Sequence, residues 1–394
     1  MSETKVPWVL ECSACAYDAP GATLATVCPK CGQPLLVTYD RLPRITSERP
    51  GYGTSRFLKK RTDMWRYAAF LPLLASEHPV SLGEGMTPLI ESPKLAKAVG
   101  VAQLWVKDEG LNPTGSFKAR GMSAAVTRAK AHKVPGLVVP TAGNAGAALA
   151  AYAAAAGIPA RVYAPETTPR GILATIRALG AELHTVPGHI GDAGKAARAF
   201  AADHGWFDVS TLREPYRIEG KKTLGLEIAE QLDWSFPDVI VYPTGGGTGL
   251  IGMWKAFAEL RDMNWVPRGT KPPRMITAQA AGCAPIVRAF AAGAKQAEPW
   301  QDPVTIAAGL RVPGPLGDRL ILKALRNSKG DAAAVSDLEI SLATLELSHS
   351  TGIDAAPEGG CALAVCRKLV KEKRITPKAR VVVFNTGSGA GYRD

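Results

Sequence analysis

The chain has 394 residues, 46% apolar and 21% charged, with 40 glycines and a formal net charge of +12. That length exceeds what one hydrophobic core usually serves, and the composition excludes a disordered or fibrous chain and fits an α/β enzyme. Half of the positive excess sits in residues 41–66, eight Lys/Arg against two Asp/Glu; with no accompanying motif, this basic stretch reads as a solvated connector or oligomer surface rather than a nucleic-acid site.

Residues 1–11 lack the basic and apolar regions of a secretory signal, and the longest apolar stretch, 145–158, is broken by Tyr152 and Gly157 and too short to span a bilayer. A cytoplasmic protein is expected. The seven cysteines agree: four are paired by spacing, while Cys283, Cys361 and Cys366 are scattered, without the even framework of a secreted domain.

In chain order, the first feature is Cys12-Ser13-Ala14-Cys15, twelve residues, then Cys28-Pro29-Lys30-Cys31. Two C-x-x-C knuckles can offer four thiolates to one tetrahedral ion, and a short β-rich segment has too little core to do without such a staple. Structural Zn2+ on Cys12, Cys15, Cys28 and Cys31 is expected over a disulfide pair, and four cysteine ligands leave no open catalytic position. Residues 32–80 read as a Pro- and Arg-rich connector carrying Trp65 and Tyr67, and 81–89 as an ordered loop leading into the main body.

From 104 onward strands and helices alternate. Strands are expected at 104–108, 136–140, 160–164, 182–186, 238–242, 275–279 and 380–384. Helices are expected at 117–131, 144–156, 169–179, 192–204, 218–232, 248–260, 336–349 and 358–371. Such alternation implies mostly parallel sheets with helices on both faces.

Four junctions carry polar chemistry. Glu109-Gly110-Leu111-Asn112-Pro113-Thr114-Gly115-Ser116-Phe117-Lys118 places Lys118 in the first turn of a helix, behind small hydroxyl and amide residues. It is either a solvated helix-start cation or a lysine whose pKa is depressed so that it becomes a nucleophile toward a carbonyl cofactor. Thr141-Ala142-Gly143-Asn144 joins strand to helix, where backbone N–H groups suit an anion, although Asn144 also reads as a simple N-cap.

Pro243-Thr244-Gly245-Gly246-Gly247-Thr248-Gly249 can wrap a phosphate at a helix N-terminus. Its overlap with G-x-G-x-x-G lacks the acidic residue that a dinucleotide needs at the end of the next strand, which runs Met275-Ile276-Thr277-Ala278-Gln279. One phosphate fits better than a pyrophosphate. Finally, Thr386-Gly387-Ser388 follows a buried strand at the carboxyl edge of the sheet, where open α/β folds bind ligands. A lysine, an amide loop, a phosphate cradle and a strand-end hydroxyl together describe a pyridoxal 5'-phosphate site.

On these motifs, together with Pro215-Tyr216-Arg217-Ile218-Glu219-Gly220-Lys221-Lys222-Thr223, residues 82–394 resemble the fold-type II pyridoxal phosphate enzymes, and within them the threonine synthase family. The resemblance implies two three-layer doubly wound α/β domains with mostly parallel sheets, plus the small zinc ribbon. The expected division is 1–40 ribbon, 41–80 connector, 81–118 with 206–394 as large domain, and 119–205 as small domain. It implies that Lys118 carries the cofactor as an internal aldimine and then shuttles protons. Asn144 would face the pyridoxal 3'-oxygen, Gly245, Gly246, Gly247, Thr248 and Gly249 its phosphate, and Thr386 the pyridine nitrogen. Ser116 and Thr141 are candidates for the substrate carboxylate.

The implied reaction is conversion of O-phosphohomoserine and water to threonine and phosphate, by an enzyme implied to be a homodimer. The chain departs from the family at Ala119, Ala142, Glu214 and Ser388, all near the substrate side. Glu214 is expected to repel an incoming phosphate. Rival readings are a serine/threonine dehydratase or cysteate synthase-like β-replacement enzyme and, in another class, a zinc-ribbon interaction protein with an inert cofactor domain.

Overall fold

Val239-Ile240-Val241-Tyr242-Pro243 is buried along its whole length, as a strand flanked on both faces must be. In the computed structural model, which describes residues 6–44 and 60–393, this strand lies inside a six-stranded sheet. The chain opens with a separate antiparallel ribbon of β1 (Trp8–Cys12), β2 (Asp18–Pro20) and β3 (Leu35–Tyr39). Then follow β4 (Leu89–Glu91), α1 (Pro93–Val99), β5 (Gln103–Asp108), α2 (Lys118–Ala131), β6 (Leu137–Pro140), α3 (Asn144–Ala156) and β7 (Ala160–Pro165). Next come α4 (Arg170–Ala178), β8 (Glu182–Val186), α5 (Ile190–His204), β9 (Phe207–Asp208), α6 (Tyr216–Gln231), β10 (Val239–Pro243), α7 (Thr248–Asp262) and β11 (Arg274–Ala280). The chain closes with α8 (Pro285–Ala291), α9 (Asp318–Asn327), β12 (Asp331–Val335), α10 (Asp337–Thr351), α11 (Pro357–Lys371) and β13 (Arg380–Asn385).

The large sheet has the order β12-β11-β10-β13-β5-β4, parallel except for the antiparallel edge strand β4. Alternate residues of its strands feed two cores. Ile240, Tyr242, Val382 and Phe384 pack on one side; Val239, Val241, Val381 and Val383 pack on the other, because successive side chains point to opposite faces. A second, parallel sheet has the order β8-β7-β6-β9. It extends to Phe207–Asp208, past the small-domain limit expected at 205, because β9 pairs with β6.

The expected alternation of elements is present. The structure adds β4, α1, β9, α8, α9 and β12, and turns part of the expected connector into core. Met64–Phe70 forms a short helix with Trp65, Tyr67 and Phe70 buried, and Trp65 Nε1 donates to Ser123 Oγ at 2.8 Å. Of the basic segment 41–66, residues 45–59 lie outside the described residues. The ribbon is no loose appendage either. Trp8, Leu10 and Val37 share one core with Met122, Leu137, Tyr152 and Tyr216.

Candidate active site

Loops from the carboxyl ends of β5, β10, β13 and β6 converge on one cavity of about 460 Å³. Its wall brings together Lys118, Thr141, Asn144, Gly245, Gly246, Gly247, Thr248 and Thr386, residues drawn from most of the length of the chain. Ser116 and Gly249, the other two expected site residues, lie behind that wall.

Lys118 is the first residue of α2 and is partly buried, its Nζ 4.4 Å from the centre of the Phe117 ring. The turn before it is tied to the final segment. Ser116 and Gly387 form an antiparallel bridge, Phe117 N donates to Thr386 O at 3.1 Å, and Ser388 N donates to Gly115 O at 2.8 Å. Burial, reinforced by the Arg217 guanidinium and only partly offset by Glu358, lowers the Lys118 amine to about 8. About a tenth is therefore the neutral nucleophile at pH 7, far more than for an ordinary lysine, and the side chain is partly buried rather than a solvated helix-start cation.

Three helix N-termini meet near the cavity, and they are treated differently. At α6, the Glu214 carboxylate accepts from Tyr216 N at 2.7 Å and from Arg217 N at 3.1 Å. Glu214 is buried, does not line the cavity, and is held up to about 7 by that burial against the pull of Arg217. It fills the helix end rather than facing an incoming phosphate, so the expected repulsion is not where the sequence placed it. At α3 and α7, by contrast, the N-cap residues are Gly143 and Gly247, which have no side chain to cap with, and Thr141 Oγ1 takes only Gly146 N of the α3 first turn. Gly143, Asn144 and Ala145 at one, and Gly245, Gly246, Gly247 and Thr248 at the other, face the cavity, leaving two sets of backbone donors open to anions.

The glycines of the α7 loop serve two purposes. A methyl group on Gly245 would come within 2.4 Å of the Gly309 carbonyl oxygen, and Gly247 has φ +77°, so side chains would close or strain the cradle. Gly249 instead allows close packing, since a methyl there would lie 2.0 Å from Tyr242 Oη. Tyr242 Oη itself is buried at the wall with no hydrogen-bond partner among the described residues.

Thr141 spends its hydroxyl locally, donating to Gly143 O at 2.6 Å and accepting from Gly143 N at 3.0 Å and Gly146 N at 3.2 Å. Ser116 is fully buried, and Lys118 N donates to its Oγ at 3.4 Å. Thr141 thereby shapes its loop rather than offering a free donor, whereas Ser116 Oγ accepts and its hydroxyl has no acceptor among the described residues. A methyl on Gly387 would meet Asn144 Nδ2 at 3.2 Å, so Asn144 sits against the final segment.

Beneath the lysine turn lies a buried ion network. Arg120 Nε and Nη2 each donate to Glu109 at 2.7 Å, and Nη2 reaches Glu227 at 2.8 Å; Lys107 Nζ adds a bond to Glu227 at 2.9 Å. Burial alone would raise Glu227, but Arg120 and Lys107 bring it down to about 2. This network fixes the base of the turn that carries Lys118. Ala119, the departure beside it, is fully buried in apolar surroundings, where a carboxylate would be costly.

The structure also places residues that no local motif marked. Glu358 accepts from Gly309 N at 2.7 Å and Tyr392 Oη at 2.6 Å at the cavity wall, and its burial raises it above the usual carboxylate range. Arg198, Arg213 and Arg311 also line the cavity.

Comparison with known proteins agrees with this geometry. The family model described as pyridoxal-phosphate dependent enzyme matches residues 80–387. A threonine synthase of Methanosarcina acetivorans is 34% identical over 385 residues, covering 96% of this chain and 91% of its own. One from Methanocaldococcus jannaschii is 35% identical over 361 residues, 91% of this chain and 87% of its own. The chain belongs to the pyridoxal-phosphate dependent enzymes, in the threonine synthase family. Among solved structures, a threonine deaminase from T.th. superposes with a TM-score of 0.65 at 26% identity, over 78% of this chain and 93% of that one. The cofactor of this enzyme family fits what the cavity offers: a depressed-pKa lysine, a phosphate cradle that a Cβ would fill, and an orphaned buried hydroxyl.

The four cysteines also meet. Their sulfur atoms lie within 4.8 Å of one another, with Cys12 Sγ 3.4 Å from Cys31 Sγ and Cys15 Sγ 3.6 Å from Cys28 Sγ. Such a cluster can hold a metal ion. The ribbon reaches α6 through two hydrogen bonds, Tyr39 Oη to Glu219 Oε2 at 2.6 Å and Tyr216 Oη to Thr23 O at 3.2 Å. No helix among the described residues is long and apolar enough to cross a membrane.

Proposed function

We propose that this chain converts O-phosphohomoserine and water to threonine and phosphate. The observation that carries the reading is the convergence of Lys118, lowered to about 8, with two helix N-termini whose N-caps are glycines in one cavity of a threonine synthase-family chain. Gly245, Gly246, Gly247 and Thr248 would hold the cofactor's phosphate at α7, Asn144 its ring oxygen and Thr386 its ring nitrogen, with Gly249 setting how closely the loop packs. The substrate carboxylate would dock on the backbone N–H groups at the start of α3, with Ser116 and Thr141 holding the loops in shape.

Pyridoxal phosphate, when bound, supplies an electron sink that stabilises negative charge on the substrate's carbon chain. Lys118 would anchor the cofactor, take the proton from the α-carbon, and later return protons as the chain rearranges. The Cγ–O bond breaks with the electron pair leaving on phosphate, and water adds its oxygen at the β-carbon. Thr386 would offer the ring nitrogen a neutral hydroxyl, which would moderate the sink compared with a carboxylate.

The two sheets support a two-domain division, the smaller running from about 119 through β9, closing over the substrate. Structural zinc on the four cysteines, a homodimer and a cytoplasmic location complete the proposal. The test is to give the pyridoxal-loaded protein O-phosphohomoserine and follow products. Equal release of phosphate and threonine supports it, whereas a keto acid without phosphate would move the enzyme to the dehydratases.

A further inference from the structure

The charges around the cavity do not balance. Its wall carries Lys118, Arg198, Arg213 and Arg311 against a single carboxylate, Glu358, which is already held by Gly309 N and Tyr392 Oη. Under the proposed reading, the cofactor's phosphate takes the α7 N-terminus, the substrate carboxylate takes the α3 N-terminus, and Lys118 is consumed as the anchor. The arginines remain.

Arg198 and Arg213 stand together on the wall that the small sheet builds. Arg198 comes from α5 and lies over Gly194, whose added methyl would meet its Nη1 at 3.0 Å. Arg213 comes from the loop between β9 and α6. There Leu212 adopts φ +62° while packed in the core, a backbone state unusual for a leucine, and Arg213 N donates to Ser210 O at 3.1 Å. Neither guanidinium has a salt bridge or side-chain hydrogen bond among the described residues. Burial, with Arg198 beside it, lowers the Arg213 pKa, and Asp208, whose Oδ1 accepts from Ser210 N at 2.9 Å, only partly offsets this. The hydroxyl-bearing Ser210 and Thr211 line the cavity in the same loop.

We infer that Arg198 and Arg213 form the specificity site for the substrate's distal anion, a phosphate monoester, separate from the glycine cradle that holds the cofactor. Planar guanidinium forks match phosphate oxygens, and two of them suit a dianion better than one. The inference rests on the function proposed above and names the residues of this chain that select a phosphorylated substrate. Arg213 also stands beside the departure at Glu214. The same loop that turns Glu214 back onto α6 presents Arg213 to the cavity.

Inorganic phosphate is the probe, used on the holoenzyme, where the cofactor's own phosphate fills the cradle. Its inhibition constant and the KM for O-phosphohomoserine are measured in Arg213→Ala, Arg198→Ala and Arg213→Lys. Each alanine variant is expected to raise both on the order of 10- to 100-fold, the worth of a charged hydrogen bond, with Arg213→Lys in between. The cofactor absorbance band should stay at its wild-type position. Should Arg213→Ala lose that band, Arg213→Gln, which removes the charge and the guanidinium fork but keeps a polar side chain, supplies the measurement. Unchanged phosphate inhibition in both alanine variants overturns the site even if threonine is still made. If wild type makes no threonine but phosphate binding weakens in both variants, the site stands and the proposed reaction falls. Stronger competition by succinate than by phosphate would also overturn it.

Discussion

The ribbon and the cavity can each hold a group that the chain cannot make itself, and they are built for it by opposite means. The ribbon gathers its four sulfurs from within 20 residues, so spacing alone places them. The cavity gathers its wall from residues 117 to 392, on two sheets and at least four loops. Local spacing is enough where a short hairpin closes the loop at little entropic cost. Distributed sites need the parallel sheet, which brings the carboxyl ends of non-adjacent strands to one edge. Yet the two regions touch, through Tyr39 on Glu219 and Thr23 on Tyr216, so α6 answers to both.

The largest expected effect breaks the cavity alone. Lys118→Ala should reduce threonine formation on the order of 10⁴-fold or more, as loss of a nucleophile acting within a unit does, while metal content stays unchanged. The opposite break is Cys28→Ser, which should release the ribbon's metal, measured by elemental analysis, and lower the melting temperature by several degrees. Activity should fall less than in Lys118→Ala. If Cys28→Ser left the melting temperature unmoved, the core shared through Trp8, Leu10 and Val37 would not depend on the metal.

Packing gives a middle-sized test. Gly249→Ala drives a methyl to 2.0 Å from Tyr242 Oη and should cost about 1–3 kcal/mol of stability, read by denaturant titration. A loss of cofactor affinity larger than the loss of stability would instead make Gly249 a cofactor contact.

Protonation sharpens the cavity's side. With Lys118 at about 8, covalent attachment of pyridoxal phosphate to the apoprotein should speed up as pH rises through 8. Between pH 8 and about 10.4 the folded chain binds fewer protons than the unfolded one, so the cost of burying this amine is relieved as pH rises through that window. An attachment profile centred near 10 would remove the depressed lysine. The smallest effect is Glu214→Gln. A carboxylate raised to about 7 contributes fully below pH 4.5 and loses that contribution as pH rises to 7. The neutral amide should abolish this pH dependence and, as a replaced helix cap, change stability at pH 7 by about 1 kcal/mol.

Much of the site was legible because each chemical residue type follows a strand and precedes a helix, and that pattern is local. Lys118, Asn144, the glycine loop and Thr386 were marked in this way, and all reach one cavity. Arg198, Arg213, Arg311 and Glu358 were not. They sit inside ordinary helical or loop sequence, and nothing in their neighbours distinguishes a lining arginine from a solvated one. Trp65 and Tyr67 show the same limit, since an aperiodic, Pro- and Arg-rich stretch gave no sign that it would be buried.

Glu214 marks the boundary most clearly. Its position before a helix could be read from the chain, but whether its carboxylate turns to a phosphate or to the backbone of α6 depends on the chain's path in three dimensions. By itself, the sequence determined the alternation of elements, the cysteine cluster and the cofactor loops, because hydrophobic period, turn chemistry and ligand spacing are short-range properties. Only the tertiary structure decided which helix ends stay open to anions and which arginines face the cavity. Those outcomes depend on how elements far apart in the chain pack, and packing leaves little trace in the residues on either side.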